Sequence, residues 1–180
     1  MLREITFFLL FFFALMLAGE DKLFVLCYHT FKGEKQVYDI SPEEFKREME
    51  LVRKLGYTFV SMDDIRKGLV KGPKNILITI DDGHRSIKNI DESVLKPLGI
   101  KPLLFIYPNI IGKKEYVLTF DEICSYIKRG FGVGAHGYYH LFVNEKLFLS
   151  DKKGFEREII KSREVLEKRL ALKIDLFAYP

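Results

Sequence analysis

Short apolar runs alternate with amphipathic stretches along nearly the whole chain. Residues 22–28 (KLFVLCY) form an apolar run that predicts a buried strand. Ser41-Pro42-Glu43-Glu44 has the form of a helix start, with Ser as N-cap, Pro in the first turn and Glu44 closing a capping box. Phe45, Met49 and Val52 then share one helical face, and Gly56 ends the segment. Residues 57–60 predict a strand, and residues 61–70 a short helix closed by Gly72-Pro73. Asn75–Ile80 (NILITI) is rich in β-branched residues and predicts a buried strand. A helix from about 86 to 95 ends near Pro97, and residues 102–107 (PLLFIY) predict another strand.

The second half repeats the alternation. Thr119-Phe120-Asp121-Glu122 is a second capping box, opening a helix with Phe120, Ile123, Cys124 and Ile127 on one stripe. Residues 131–135 predict a small-residue strand, and residues 151–170 a long helix with Phe155, Ile159, Leu166 and Leu170 along one side. Residues 174–178 predict a last strand. Apolar strands alternating with one-sided helices imply an α/β fold, a parallel sheet covered by helices. Either a barrel or an open doubly wound sheet satisfies the pattern. Both put chemistry at the C-terminal ends of strands.

The first 19 residues stand apart. Arg3 precedes an apolar run from residue 5 to 18, short of the ~20 residues that span a bilayer. It reads as a secretory signal peptide or an N-terminal anchor, which would export the protein and leave residues 20–180 as one domain. Ala18 and Gly19 mark a candidate cleavage point, although Met16 fits the small-residue pattern poorly.

The chain has 180 residues, 29 basic and 25 acidic, for a net charge of +4 without a long basic block. This excludes an argument for nucleic-acid binding from charge. Its 48% hydrophobic content excludes a largely disordered chain. The two cysteines, Cys27 and Cys124, read as buried thiols rather than a disulfide.

Four strand ends are selected by the topology: Tyr28-His29, Asp81-Asp82-Gly83, His136 and Tyr179-Pro180. Adjacent carboxylates at a strand end point in different directions, so one can bind a cation while the other acts as a base. Their plain alternative is a strand-ending turn. His136 and His140, four residues apart, would share one side of a helical turn within reach of one metal. Two structural histidines would have the same spacing. His29 reads as structural or substrate-binding, and His84 as loop surface. Tyr107, Tyr138 and Tyr139 would either line a sugar groove or serve packing. Together, one carboxylate and two imidazoles leave open positions on a metal, with a second carboxylate free as base.

At these residues the sequence resembles the polysaccharide deacetylases (carbohydrate esterase family 4, the NodB-homology domain), closest to the branch acting on poly-N-acetylglucosamine. Thr79-Ile80-Asp81-Asp82-Gly83 is similar to the family's T-F-D-D-G. His136-Gly137-Tyr138-Tyr139-His140 is similar to H-[ST]-x-x-H, with Gly in the hydroxyl position. Phe177-Ala178-Tyr179-Pro180 resembles the start of F-A-Y-P-Y-G, and Tyr28-His29-Thr30-Phe31 resembles that branch's opening.

The resemblance implies a distorted parallel (β/α) barrel, incomplete at its C-terminal side because the third motif stops at Pro180. It implies one divalent metal, usually zinc, on Asp82, His136 and His140, with Asp81 as general base. His29 and Tyr179 would touch a polysaccharide substrate. Ala178 stands where many members carry an Arg that holds the base, and no residue matches the family's late general acid. The implied activity is hydrolysis of N-acetyl groups. The alternatives are a non-catalytic carbohydrate-binding protein on the same fold and a membrane-tethered interaction protein.

Overall fold

The computed structural model describes residues 20–34 and 36–180. The apolar run at 5–18, and with it the leader or anchor reading, lies outside the described residues. Among the described residues no helix is long and apolar enough to cross a membrane.

The sheet is parallel, as the alternation requires. Its strands are β1 (Leu23–Tyr28), β2 (Thr58–Phe59), β3 (Asn75–Ile80), β4 (Leu103–Ile106) and β5 (Gly132–Ala135). β3 is central, and all six of its residues are buried. β1 pairs along its whole length, from Leu23 opposite Asn75 to Tyr28 opposite Ile80. On its other edge β2 pairs with the start of β3 and β4 with its end, so β3 serves two neighbours in turn. β5 extends the sheet beyond β4. The sheet does not close on itself among the described residues.

Helices α1 (Pro42–Lys54), α2 (Met62–Arg66), α3 (residues 85–98), α4 (Phe120–Lys128), α5 (Glu145–Ser150) and α6 (residues 152–170) follow the strands. α1, α2 and α4 each begin with a complete capping box, on Ser41/Glu44, Ser61/Asp64 and Thr119/Glu122. Alternate residues of β3 face opposite ways. Ile76, Ile78 and Ile80 join Phe45, Met49, Ile90, Val94, Ile123 and Leu166 in the main core, while Leu77 packs with Val60 and Leu103 on the other face. Each fully buried Ile or Leu contributes about 1.5–3 kcal/mol.

Several elements depart from the sequence reading. The 174–178 strand is reduced to one bridge, Phe177 opposite Ala135, because β5 is only four residues long and offers little ladder to extend. The helix at residues 61–70 is confined to α2, the strand at 57–60 to β2, and α5 was not anticipated. α3 runs through Pro97 to Gly99, which ends it at φ +67°. A π-type turn at Asp91–Leu95 precedes Pro97, which has no N–H to give the ladder.

α6 also contains a π turn, Arg157–Lys161. A regular helix rotates a face by about 40° over each four-residue step. The wider turn absorbs part of that drift, so Gly154, Glu158, Ser162, Leu166 and Leu170 all face inward. Of the expected stripe, Leu166 and Leu170 are buried, while Phe155 and Ile159 are only half-buried.

β1 is not buried. It lies at a sheet edge, and Leu23, Phe24 and Val25 are 40%, 45% and 55% exposed. Cys27 shares that edge and is an exposed thiol, contrary to expectation, whereas Cys124 is half-buried; both are free.

Candidate metal centre

The β3 ladder continues one residue past the strand, where the Asp81 N–H donates to the Tyr28 carbonyl at 2.9 Å. The chain then turns sharply, with Asp82 and Gly83 both at φ +70°. Gly83 is free of the Cβ penalty there, and an added Cβ would lie 3.2 Å from Ile111. Asp82 bears the strain. Three described non-glycine residues have positive φ, and two of them are Asp82 and His140 (φ +64°). Strain of this kind persists only where the surroundings impose it, and it concentrates at functional sites.

His136 follows β5 and is 2% exposed. Its Nδ1 lies 3.1 Å from the Ala178 carbonyl, which can only accept, so Nδ1 carries the proton. The lone pair of the neutral ring is therefore on Nε2, facing the site. This explains how the chain's last segment takes part: Ala178 pairs with Ala135 through its own N–H and holds the histidine through its carbonyl.

His140 is brought back by a loop, not by the helical turn that its spacing suggested. Gly137 at φ +75° reverses the chain, and the loop is held from α6. The Glu158 carboxylate is fully buried and accepts N–H bonds from Tyr138 (2.8 Å), Tyr139 (2.9 Å) and Leu141 (3.3 Å). The Ser162 hydroxyl donates to the Gly137 carbonyl at 2.7 Å. The π turn that keeps Glu158 and Ser162 inward thus also fixes the histidine loop. Glu158, which holds this loop, was missed in the sequence. Its only signal was a polar pair four residues apart in line with Leu166 and Leu170.

The same packing explains glycine at 137. An added Cβ would lie 2.7 Å from Glu158 Oε2, at a φ that side chains avoid. Gly137→Ser, which would match the hydroxyl of the resembled motif, is therefore expected to lower stability by about 1–2 kcal/mol from backbone strain alone. That corresponds to a melting temperature lower by about 2–8 °C for a domain of this size. A thermal melt equal to that of the native chain would contradict the clamp.

These elements bring Asp82, His136 and His140 together. One ligand atom from each lies within 4.8 Å of the other two. Asp82 Oδ1 is 3.2 Å from His140 Nε2 and 3.6 Å from His136 Nε2, yet it is buried without a hydrogen-bond partner. A buried, unpartnered carboxylate oxygen facing two imidazole nitrogens fits a divalent cation. Two nitrogens and one oxygen suit zinc or a similar borderline ion and leave positions open for substrate.

Burial opposes charge on Asp82, but His140, with His136 and His29, outweighs it and holds the carboxyl below its ordinary value. Burial lowers His136, keeping it neutral and ready to ligate. The Asp82 carboxylate raises His140 above the ordinary imidazole value near 6.5. A proton on His140 therefore competes with a cation for the ring nitrogen. Metal affinity should weaken as pH falls through that raised value, and below it binding should release a proton. Calorimetry in buffers of different ionisation enthalpy measures this; buffer-independent heats would contradict it.

Asp81 lies beside the centre, its Oδ2 3.9 Å from His136 Nε2. Burial raises its pKa, with His136 and His29 opposing. Its Oδ1 is buried and unpartnered, and its Oδ2 accepts a weak bond from the Cys27 thiol at 3.5 Å. That thiol is raised by partial desolvation and the neighbouring carboxylate.

His29 stands near Asp81, its ring 4.9 Å from that of Tyr38. Tyr179 is 73% exposed and meets Phe177 edge-on. Tyr107 is half-buried against His140, ring centroids 4.9 Å apart, and burial with the Asp82 charge pushes its hydroxyl up to about 12. Tyr138 and Tyr139 lie under the Lys161 and Arg157 cations. His84 is not simple loop surface: it is half-buried, and its ring caps the first turn of α3 by accepting from the Ser86 N–H.

The parallel α/β sheet thus carries an aspartate and two histidines at its C-terminal rim, beside a second aspartate, the arrangement that the resemblance to the polysaccharide deacetylases implies. The chain belongs to this family, whose model matches residues 69–180. Among solved structures it is similar to IcaB from Ammonifex degensii, 28% identical with a TM-score of 0.77 over 90% of this chain and 75% of that one. It shares its fold with the deacetylase PplD of Streptococcus pyogenes, solved in complex with acetate, at 19% identity and a TM-score of 0.74 over 88% of this chain and 74% of that one. It is 27% identical over 127 residues to YxkH of Bacillus subtilis (strain 168), which bears a polysaccharide deacetylase name. That match spans 68% of this chain and 45% of YxkH. The fold is accordingly that of the deacetylase (β/α) barrel, with an incomplete ring of strands among the described residues.

Proposed function

We propose that the protein is a metal-dependent hydrolase that removes N-acetyl groups from a polysaccharide containing N-acetylglucosamine. The observation that carries this reading is the convergence of Asp82, His136 and His140 beside a buried carboxylate, Asp81, that has a free oxygen. Asp82, His136 and His140 would hold the cation, zinc by the donor set. When bound, it supplies Lewis-acid polarisation of the acetamide carbonyl.

The chain's own groups do the rest. Asp81 accepts a proton from the water that attacks the carbonyl carbon, and its Oδ1 is the acceptor available for it. The carbon–nitrogen bond then breaks as the proton taken up by Asp81 is returned to the sugar nitrogen, and acetate and a free amine are released. His136 is held in its ligating tautomer by Ala178, and the loop that carries His140 is held by the Glu158 clamp. His29 and Tyr179 are assigned to substrate contact, His29 from its place beside Asp81 and Tyr179 from the rim it shares. We also propose export, with residues 1–19 as leader or membrane anchor, on the strength of the apolar run at 5–18.

The test is acetate release from N-acetylglucosamine oligomers by the zinc-loaded chain. Acetate matched by new amine, and lost in Asp82→Ala, is expected. No acetate above the blank with any supplied metal would contradict the reading.

A further inference from the structure

A second group of donors lies against the first. Cys27 is opposite Thr79 in the sheet register, and side chains two residues apart share a sheet face. Cys27 on β1 and His29 just past its end therefore point to the side where Thr79 on β3 and Asp81 just past its end lie. A ligand atom from each of Cys27, His29 and Asp81 lies within 4.8 Å of the other two. The Asp81 side chain is one-tenth exposed, and its Oδ1 has no partner, while Cys27 is open to solvent. The cluster thus has an entrance at the thiol, and its buried carboxylate keeps one oxygen without a partner. It differs from the first centre in one respect that governs metal choice: it contains sulfur. Thiolate ligands favour soft ions, whereas a carboxylate with two imidazoles suits borderline ions such as zinc.

We propose that Cys27, His29 and Asp81 form a second cation site, selective for soft divalent ions, whose occupation inhibits the enzyme. The thiol proton passes to solvent as the sulfur coordinates the ion, and the Asp81 carboxylate becomes a ligand. A carboxylate committed to a cation no longer accepts a proton from water, so turnover stops while the Asp82–His136–His140 centre stays intact. The inhibition rests on the assignment of Asp81 as base; the binding does not.

The experiment uses the full chain carrying one equivalent of zinc, titrated with cadmium. A sulfur-to-cadmium charge-transfer band should rise in the ultraviolet. It should persist in Cys124→Ser and vanish in Cys27→Ser, with circular dichroism showing that both variants are folded. Acetate release should fall to background as the band saturates in the native chain. No band in the native chain, or a band retained in Cys27→Ser, would overturn the site. A saturated band with undiminished acetate release would overturn the inhibition. A chain that gains the band yet releases no acetate before cadmium is added contradicts the deacetylase reading and supports the site, because the band is read without turnover.

Discussion

Asp81→Asn is expected to lower acetate release by about a hundredfold to ten-thousandfold, the usual worth of a positioned general base. The substitution keeps the shape of a side chain that is nine-tenths buried, and it keeps an oxygen to meet the Cys27 thiol. It removes the capacity to take a proton. Asp81 is not among the three groups facing the cation position, so zinc affinity should change little. Rate and affinity therefore separate: kcat falls and metal binding stays. Native rates in this variant would move the base elsewhere. Loss of zinc binding would instead make Asp81 a ligand and dismantle the division of labour between the adjacent carboxylates.

Glu158→Ala is expected to have the largest effect of any substitution outside the centre itself. It strands the N–H groups of Tyr138, Tyr139 and Leu141, which one buried carboxylate now satisfies. Hydrogen bonds to a charged group contribute about 1.5–3 kcal/mol each, and unmet buried donors cost about 1–3 kcal/mol. Shared geometry and local relaxation reduce the sum, so a loss of about 3 kcal/mol is expected, or about 6–12 °C in melting temperature. The loop also carries His140 at positive φ. Groups that orient metal ligands typically affect affinity by about 10–100-fold, and zinc binding should weaken on that scale. Glu158→Gln keeps one oxygen acceptor but turns an amide toward backbone donors, so it should restore part of each loss. A melt and a zinc titration check both. Native values in the alanine variant would show that the loop holds itself.

Much of the fold was legible because strand composition and capping boxes are local properties. NILITI is buried on both faces, as its unbroken apolar run implies. Thr119 and Ser41 cap their helices in the way the spacing of Ser/Thr and Glu dictates. The exposure of β1 was not legible. KLFVLCY is as apolar as a central strand, and only the strand order puts it at an edge. That misreading also hid Cys27 as a buried thiol.

That the three side chains of the centre come together was legible, but the backbone that brings them together was not. Asp82, His136 and His140 do converge, yet the histidines meet through a loop with left-handed residues rather than on a helical turn. Histidine spacing cannot distinguish these backbones. The clamp was hidden for a related reason. Glu158 points inward because α6 contains a π turn, and helical periodicity counted at 3.6 residues puts that position at the flank of the apolar stripe. Glycine at 137 looked like a departure from the family motif; packed against Glu158, it is the residue that fits.

The most direct measurement is anomalous diffraction at the zinc edge from crystals of the native chain grown with zinc. A peak within bonding distance of Asp82, His136 and His140, with Asp81 beside it and not bound, is the predicted result. Strong zinc density elsewhere, with those three side chains turned apart, would contradict it.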